Sequence, residues 1–260
     1  MDEQPLSKAA PPTGAGSAAP QAGWRIEPLG DRALVVEFGD RVEPAINEAA
    51  RAFAEQLLAR PIDGVVDVVP AFASVALHYR PERLADARDA RSPFERLREA
   101  VSARLAQPRA GPTGRARLIE LPVCYGGEHG PDLPAVAAAC GLDAQQVVER
   151  HAASAHVVYM LGFAPGFAYL GGLDASLSVP RRPTPRARVP AGTVAIAGGQ
   201  SAIYPLDTPG GWSLIGRTPA VLFDAQAEPP CLLRPGDHVR FVPIGAQRLA
   251  ALQAARAARP

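Results

Sequence analysis

Thr193-Val-Ala-Ile-Ala-Gly-Gly-Gln200 decides how the second half of this chain is read. A short apolar run ends in Gly198-Gly199, and two glycines after a strand commonly make a tight hairpin turn. The same texture extends in both directions. From Gly162 to Pro243, short apolar runs such as Val221–Phe223 and Val239–Val242 alternate with clusters of Gly and Pro. Many short strands punctuated in this way indicate a β-barrel or sandwich. Upstream of it, Leu118–Val123 reads as a strand, Asp143–Ala153 as a helix and His156–Tyr159 as a further strand.

The first half has a different period. Two β-rich runs, Trp24–Leu29 and Ala33–Phe38, flank a turn at Gly30-Asp31. Pro44–Arg60 then carries Ile46, Ala50, Phe53, Ala54, Leu57 and Leu58 at the spacing of one helical face. Val65–Val69 and Ser74–Tyr79 are β-rich again, and Pro70 between them, unable to donate to a ladder, is expected to mark a break. Ser92-Pro93 followed by Glu95 has the spacing of a capping box and starts a second helix. The expected class is α+β: a disordered tail over 1–22, a small N-terminal α/β domain over 23–107, a linker at Pro108, Gly111, Pro112 and Gly114, and a barrel-like domain over 115–246.

Composition narrows the chemistry. At 260 residues, 47% apolar and 20% charged, the chain can bury a core without metal or disulfides. Its net charge of +1 gives no field of the kind that many phosphates require, so nucleic acid is not an expected partner. No apolar run reaches the roughly 18 residues that cross a bilayer, and no secretory-type apolar stretch opens the chain, so the expected location is the cytoplasm. Cys124, Cys140 and Cys231 lie far apart without a CxxC pairing, which argues against a disulfide framework or a zinc site. Lys8 is the sole lysine, so a P-loop lysine, a Schiff base or a biotinyl-lysine is excluded from the folded body.

Several segments are more specific than barrel turns: Tyr159-Met-Leu-Gly-Phe-Ala-Pro-Gly-Phe-Ala-Tyr-Leu170, Arg186-Ala-Arg-Val-Pro-Ala-Gly192, Ala197-Gly-Gly-Gln200, Tyr204-Pro205 and Thr208-Pro-Gly-Gly-Trp-Ser-Leu-Ile-Gly-Arg-Thr-Pro219. Together they resemble the family named for allophanate hydrolase subunit 1, from about Trp24 to Ile244. The resemblance implies a small α/β domain followed by a cyclophilin-like β-barrel, and a companion subunit, separate or fused. In that family the 5-oxoprolinase member works with a C subunit and a separate A subunit to open 5-oxoproline, a lactam, to glutamate with ATP. The Kip-type member inhibits a sporulation histidine kinase, and allophanate is a further substrate within the family. Fold alone does not choose among these. With no phosphate-binding glycine loop in the chain, ATP is expected at a shared or partner site.

The candidate residues each carry two readings. Gln200 offers an amide that donates and accepts, as a lactam needs, or it simply follows a hairpin turn. Arg186 and Arg217 can hold a carboxylate or phosphate in a bidentate fork, or solvate a face. Both are preferred to Arg181 and Arg182. Gly210 and Gly211, before Trp212, can bring backbone amides to an anion, or form a structural turn. His151 can serve as acid or base, or sit favourably at a helix end; five residues from His156, it does not suggest a metal pair. His151, Gln200 and Arg217 are therefore the catalytic candidates, and Arg186, Tyr204, Gly210 and Gly211 the substrate-binding ones. The aromatic group Tyr159, Phe163, Phe167 and Tyr169 reads mostly as core, with Gly162 and Gly166 bending a loop that lines a pocket.

Overall fold

The computed structural model describes residues 23–86, 88–107 and 117–257. The expected tail and linker lie outside them. Strands β1 (Arg25–Pro28) and β2 (Ala33–Glu37) lead into helix α1 (Pro44–Ala59), then β3 (Val65–Pro70), β4 (Ser74–Tyr79), the short α2 (Pro81–Leu84) and α3 (Pro93–Leu105). The four strands form one antiparallel sheet in the order β1-β2-β4-β3. Alternation along β2 and β4 turns Leu34, Val36, Val75 and Leu77 to one side, where Phe53 and Leu57 of α1 and Leu97 and Val101 of α3 close over them. Ser92 and Glu95 form both halves of the capping box: Glu95 N donates to Ser92 Oγ at 3.2 Å, and Ser92 N to Glu95 Oε2 at 2.7 Å. Pro70 is the last residue of β3, so the break falls directly after it, as expected. It pairs with Val75 of β4, and β3 is an edge strand, where proline's missing donor is tolerated.

The second half begins with β5 (Leu118–Tyr125), a single 3₁₀ turn at Gly127–His129, and helices α4 (Leu133–Cys140) and α5 (Ala144–Ala153). Strands β6 (His156–Leu161), β7 (Ala168–Gly171), β8 (Arg186–Val189), β9 (Thr193–Ala197), β10 (Gln200–Ile203), β11 (Thr208–Gly210), β12 (Ser213–Arg217) and β13 (His238–Pro243) follow, and α6 (Ala246–Ala257) packs on β5. Seven strands close a barrel in the order β10-β7-β6-β13-β5-β12-β9, with β9 pairing back to β10. The β5–β13 pair is parallel, from Leu118 opposite His238 to Val123 opposite Pro243. The quoted hairpin is β9–β10, with Gly198 and Gly199 at φ +56° and +79°, the region a two-residue primed turn demands. Val221–Phe223 is not a strand; Phe223 makes one isolated bridge to Cys231, while Leu222 packs into the barrel core.

Every residue of β9 is buried, because the barrel wall is covered on both sides. Val194 and Ile196 face inward with Ile203, Ile215, Val158 and Phe241. Ala195 and Ala197 face outward into a second cluster with Phe167, Ala202, Tyr204, Trp212 and Leu214. That outer layer is held down by a two-stranded ribbon, β8 with β11, in which Gly210 lies opposite Arg186 and Thr208 opposite Val189. The two halves of the chain also touch: Asn47 Nδ2 donates to the Tyr159 carbonyl at 3.3 Å, and the Phe72 ring meets Tyr169 edge-on at 5.4 Å. Among the described residues, no helix is long and apolar enough to cross a membrane.

Candidate functional site

The seven candidates fall into three places. His151, in the last turn of α5, is wholly buried inside the barrel. Its Nδ1 lies 2.8 Å from the Tyr125 hydroxyl and its Nε2 3.0 Å from Ser201 Oγ, and its ring stacks on Phe241 at 4.6 Å. Burial, with a smaller push from His156, holds it well below the ordinary imidazole range, so the ring is neutral. A neutral, enclosed ring fits neither role that its sequence position suggests. It bears no charge to favour the helix end, and it has no exposed surface to meet a substrate.

Gln200 stands at the start of β10, one residue before Ser201. Ser201 points inward to His151, so alternation turns Gln200 outward with Ala202 and Tyr204. Its Nε2 is buried and has no protein partner among the described residues. Arg217 is elsewhere. Along β9, Ala197 pairs with Gln200 of β10 and Thr193 with Arg217 of β12, so the two candidates flank β9 at its opposite ends, offset by about 13 Å along the strand direction at the usual rise of about 3.3 Å per residue. The structure therefore does not bring His151, Gln200 and Arg217 together as one catalytic group.

The substrate-binding candidates do share a face. Tyr204 is 2% exposed and lies under the ribbon. Gly210 is packed directly on it: a Cβ there would sit 2.2 Å from the Tyr204 hydroxyl oxygen. Gly211 has room, with its nearest neighbours, Arg182 O and Pro185, at 3.7 Å. Gly210→Ala is therefore expected to lower the thermal midpoint by several degrees, at about 1–3 kcal/mol for overpacking, while Gly211→Ala leaves it within about 1 °C of wild type. Equal shifts in the two variants would contradict this packing. Trp212 is also buried in the outer cluster, with the Arg181 guanidinium over its ring at 5.7 Å.

Arg186 is fixed by a residue outside the motif segments. Asp132, 7% exposed, precedes α4; its Oδ1 accepts from Arg186 Nη2 at 2.7 Å and from Arg182 Nη1 at 3.3 Å, and its Oδ2 accepts from the Leu214 backbone N–H at 2.8 Å. The signal for it in the sequence is the run Gly126-Gly127, Gly130-Pro131-Asp132, a turn chemistry that places an acid ahead of a helix. Phe163 departs from its expected place in the core. It is 65% exposed and, at φ +70°, is the non-glycine residue with positive φ among those described. Phe167 and Tyr159 are buried as expected, and Tyr169 is half-buried. No group of three or more His, Cys, Asp or Glu placed to hold a metal ion occurs among the described residues.

The model of the carboxyltransferase domain, subdomains C and D, matches residues 24–233. The chain belongs to that family. Members similar to it include the 5-oxoprolinase B subunit of Bacillus subtilis (strain 168), 43% identical over 229 residues that make up 85% of this chain and 93% of the relative. The 5-oxoprolinase B subunit of Escherichia coli O157:H7 is 46% identical, covering 83% of this chain and 94% of its own. Among solved structures, TTHA0988 superposes with a TM-score of 0.71 at 40% identity over 83% of this chain, which spans only 40% of the TTHA0988 chain. The urea amidolyase of K. lactis shares the fold at a TM-score of 0.71 and 20% identity, over 88% of this chain and 15% of that one. These relatives bear out the resemblance read from the motifs, and their naming as subunits points to a multi-subunit assembly.

Proposed function

We propose that this chain is the B subunit of an ATP-dependent 5-oxoprolinase, which with companion C and A subunits opens 5-oxo-L-proline to L-glutamate. The observation that carries this reading is similarity over nearly the whole length of two relatives that bear the 5-oxoprolinase B-subunit name. The site geometry supports the need for companions. The outer barrel face offers an amide donor at Gln200, an arginine at Arg186 and a wall at Tyr204 and Gly210; its Asp132 carboxylate is taken up by Arg182, Arg186 and the Leu214 amide, and His151 lies on the other side of the wall. Water adds to the lactam carbonyl and the ring C–N bond breaks, its nitrogen taking a proton to become the amine of glutamate. Gln200 would donate to the lactam oxygen, and with Asp132 held by its two arginines we assign the general base to a companion subunit. The body of the chain does not fit a phosphate-loop nucleotide site, having neither lysine nor a glycine loop of that type, so ATP belongs on a shared or partner surface.

Co-expression with candidate C and A subunits, followed by measurement of ATP-dependent glutamate release from 5-oxoproline, tests the reading. Release is expected only when this chain is present, and turnover by the companions alone at the full rate would overturn it. Gln200→Ala is expected to reduce that rate by about 10- to 100-fold without loss of assembly.

A further inference from the structure

We propose that Arg181, Arg182 and Arg186 form an anion-binding cleft beside Trp212 on the outer barrel face, taking a carboxylate or phosphate oxygen as ligand. Three guanidinium groups gather there against one carboxylate. Asp132 pairs with Arg182 and Arg186 and spends its second oxygen on the Leu214 amide, while Arg181 rests on the Trp212 ring. The cluster thus keeps an excess of positive charge.

The segment is also held in place before any ligand arrives. Val179 O accepts from Gly198 N at 2.6 Å, Arg182 N donates to Gly211 O at 2.7 Å, and Pro180, Pro183 and Pro185 stiffen what lies between. Arg186 holds Nη2 on Asp132 but keeps Nη1 buried with no protein acceptor among the described residues. A buried donor of this kind is costly unless an acceptor reaches it, and an anionic oxygen would satisfy it in the charge-assisted manner that favours arginine. Motif position alone favours Arg186 and Arg217 as the working arginines. The geometry instead groups Arg186 with Arg181 and Arg182, and leaves Arg217 at the far end of β12.

The cleft lies on the outer face proposed above for the lactam and depends on that reading only for the source of a carboxylate, so a binding assay on the isolated chain and a turnover assay on the complex can fail separately. The chain has two tryptophans, and Trp24→Phe leaves Trp212 as the single reporter beneath Arg181. In that background, inorganic phosphate, 5-oxoproline and 2-pyrrolidinone, the lactam without its carboxylate, are titrated at constant ionic strength, with fluorescence and calorimetry as readouts. A saturable response to phosphate, to 5-oxoproline or to both, and none to 2-pyrrolidinone, is expected. Phosphate alone would indicate a phosphate-bearing ligand, and 5-oxoproline alone the substrate carboxylate. Arg186→Gln and, at the more exposed position, Arg181→Gln should each weaken binding about tenfold or more. No saturable response to either anion in either readout, an equal response to 2-pyrrolidinone, or unchanged affinity in both variants would overturn the proposal.

Discussion

Gly130→Ala is expected to lower the stability of the chain by about 3 kcal/mol or more, the upper range for forced overpacking, and to lower the thermal midpoint by about 10 °C. A Cβ on Gly130 would lie 2.1 Å from the Ile215 carbonyl oxygen, 2.3 Å from its carbon and 2.7 Å from Gly126 N. All three are backbone atoms, so no side chain can swing aside. They belong to a tight knot: Gly126 N donates to Ile215 O at 3.0 Å, Gly130 N to Gly126 O at 2.9 Å, and Asp132 N to Leu214 O at 3.0 Å. Relieving the clash means separating the Gly126–Asp132 turn from β12, which also withdraws Asp132 from Arg186. The control is Gly245→Ala, where nothing lies within 4 Å of the added carbon. Urea unfolding of the two variants beside wild type decides the matter: a Gly130→Ala midpoint equal to that of Gly245→Ala would refute the close approach.

The second large effect is a loss of stability on mild acidification. In the folded chain burial holds His156 at about 4, against the opposing pull of backbone acceptors at His151 and Gly171, and burial with a smaller push from His156 holds His151 well below the ordinary value of 6.5. Unfolded, both titrate near 6.5. Between pH 6.5 and about 4 the unfolded chain therefore binds protons that the folded chain refuses, so stability is fully present above 6.5 and drains away as pH falls. At pH 5 the difference is about 2 kcal/mol for His156, at about 1.4 kcal/mol per pH unit, and His151 adds to it in the same direction. The depressed carboxylates, Asp207 through its bonds from Ala191 and Arg188 and Asp174 through Ser176, lose their contribution only below about pH 4, so the two windows separate. Urea midpoints at pH 7.5 and 5.0 give the test. The wild-type midpoint should fall steeply, and His156→Gln should flatten the slope. A wild-type profile flat across that interval would rule out two buried neutral rings.

Much of the architecture is carried by short-range chemistry. Helix α1 is legible because a single apolar stripe recurs from Ile46 to Leu57, and α3 because its capping box is local to four residues. The β9–β10 hairpin needs only Gly198-Gly199 after an apolar run. Helix α4 escapes such reading because Leu133–Cys140 has almost no polar face and so shows no period. Phe163 is misplaced by sequence because an aromatic residue between buried aromatic neighbours looks like core. Only the turn of the 162–166 loop, held at positive φ, puts its ring into solvent.

The site divides along the same line. Motifs that stand close together along the chain suffice to assign Gln200, Arg186, Tyr204 and the Gly210-Gly211 pair to a barrel of one family. It takes the folded barrel to show that Ser201 faces His151 while Gln200 and Tyr204 face the ribbon, that Arg217 lies a strand length away, and that Asp132 ties Arg182 to Arg186. The reason is that both sides of this barrel wall are buried. A strand apolar on both faces, such as β9, shows no alternation by which to tell inside from outside, and an ion pair across 50 residues leaves no local signal.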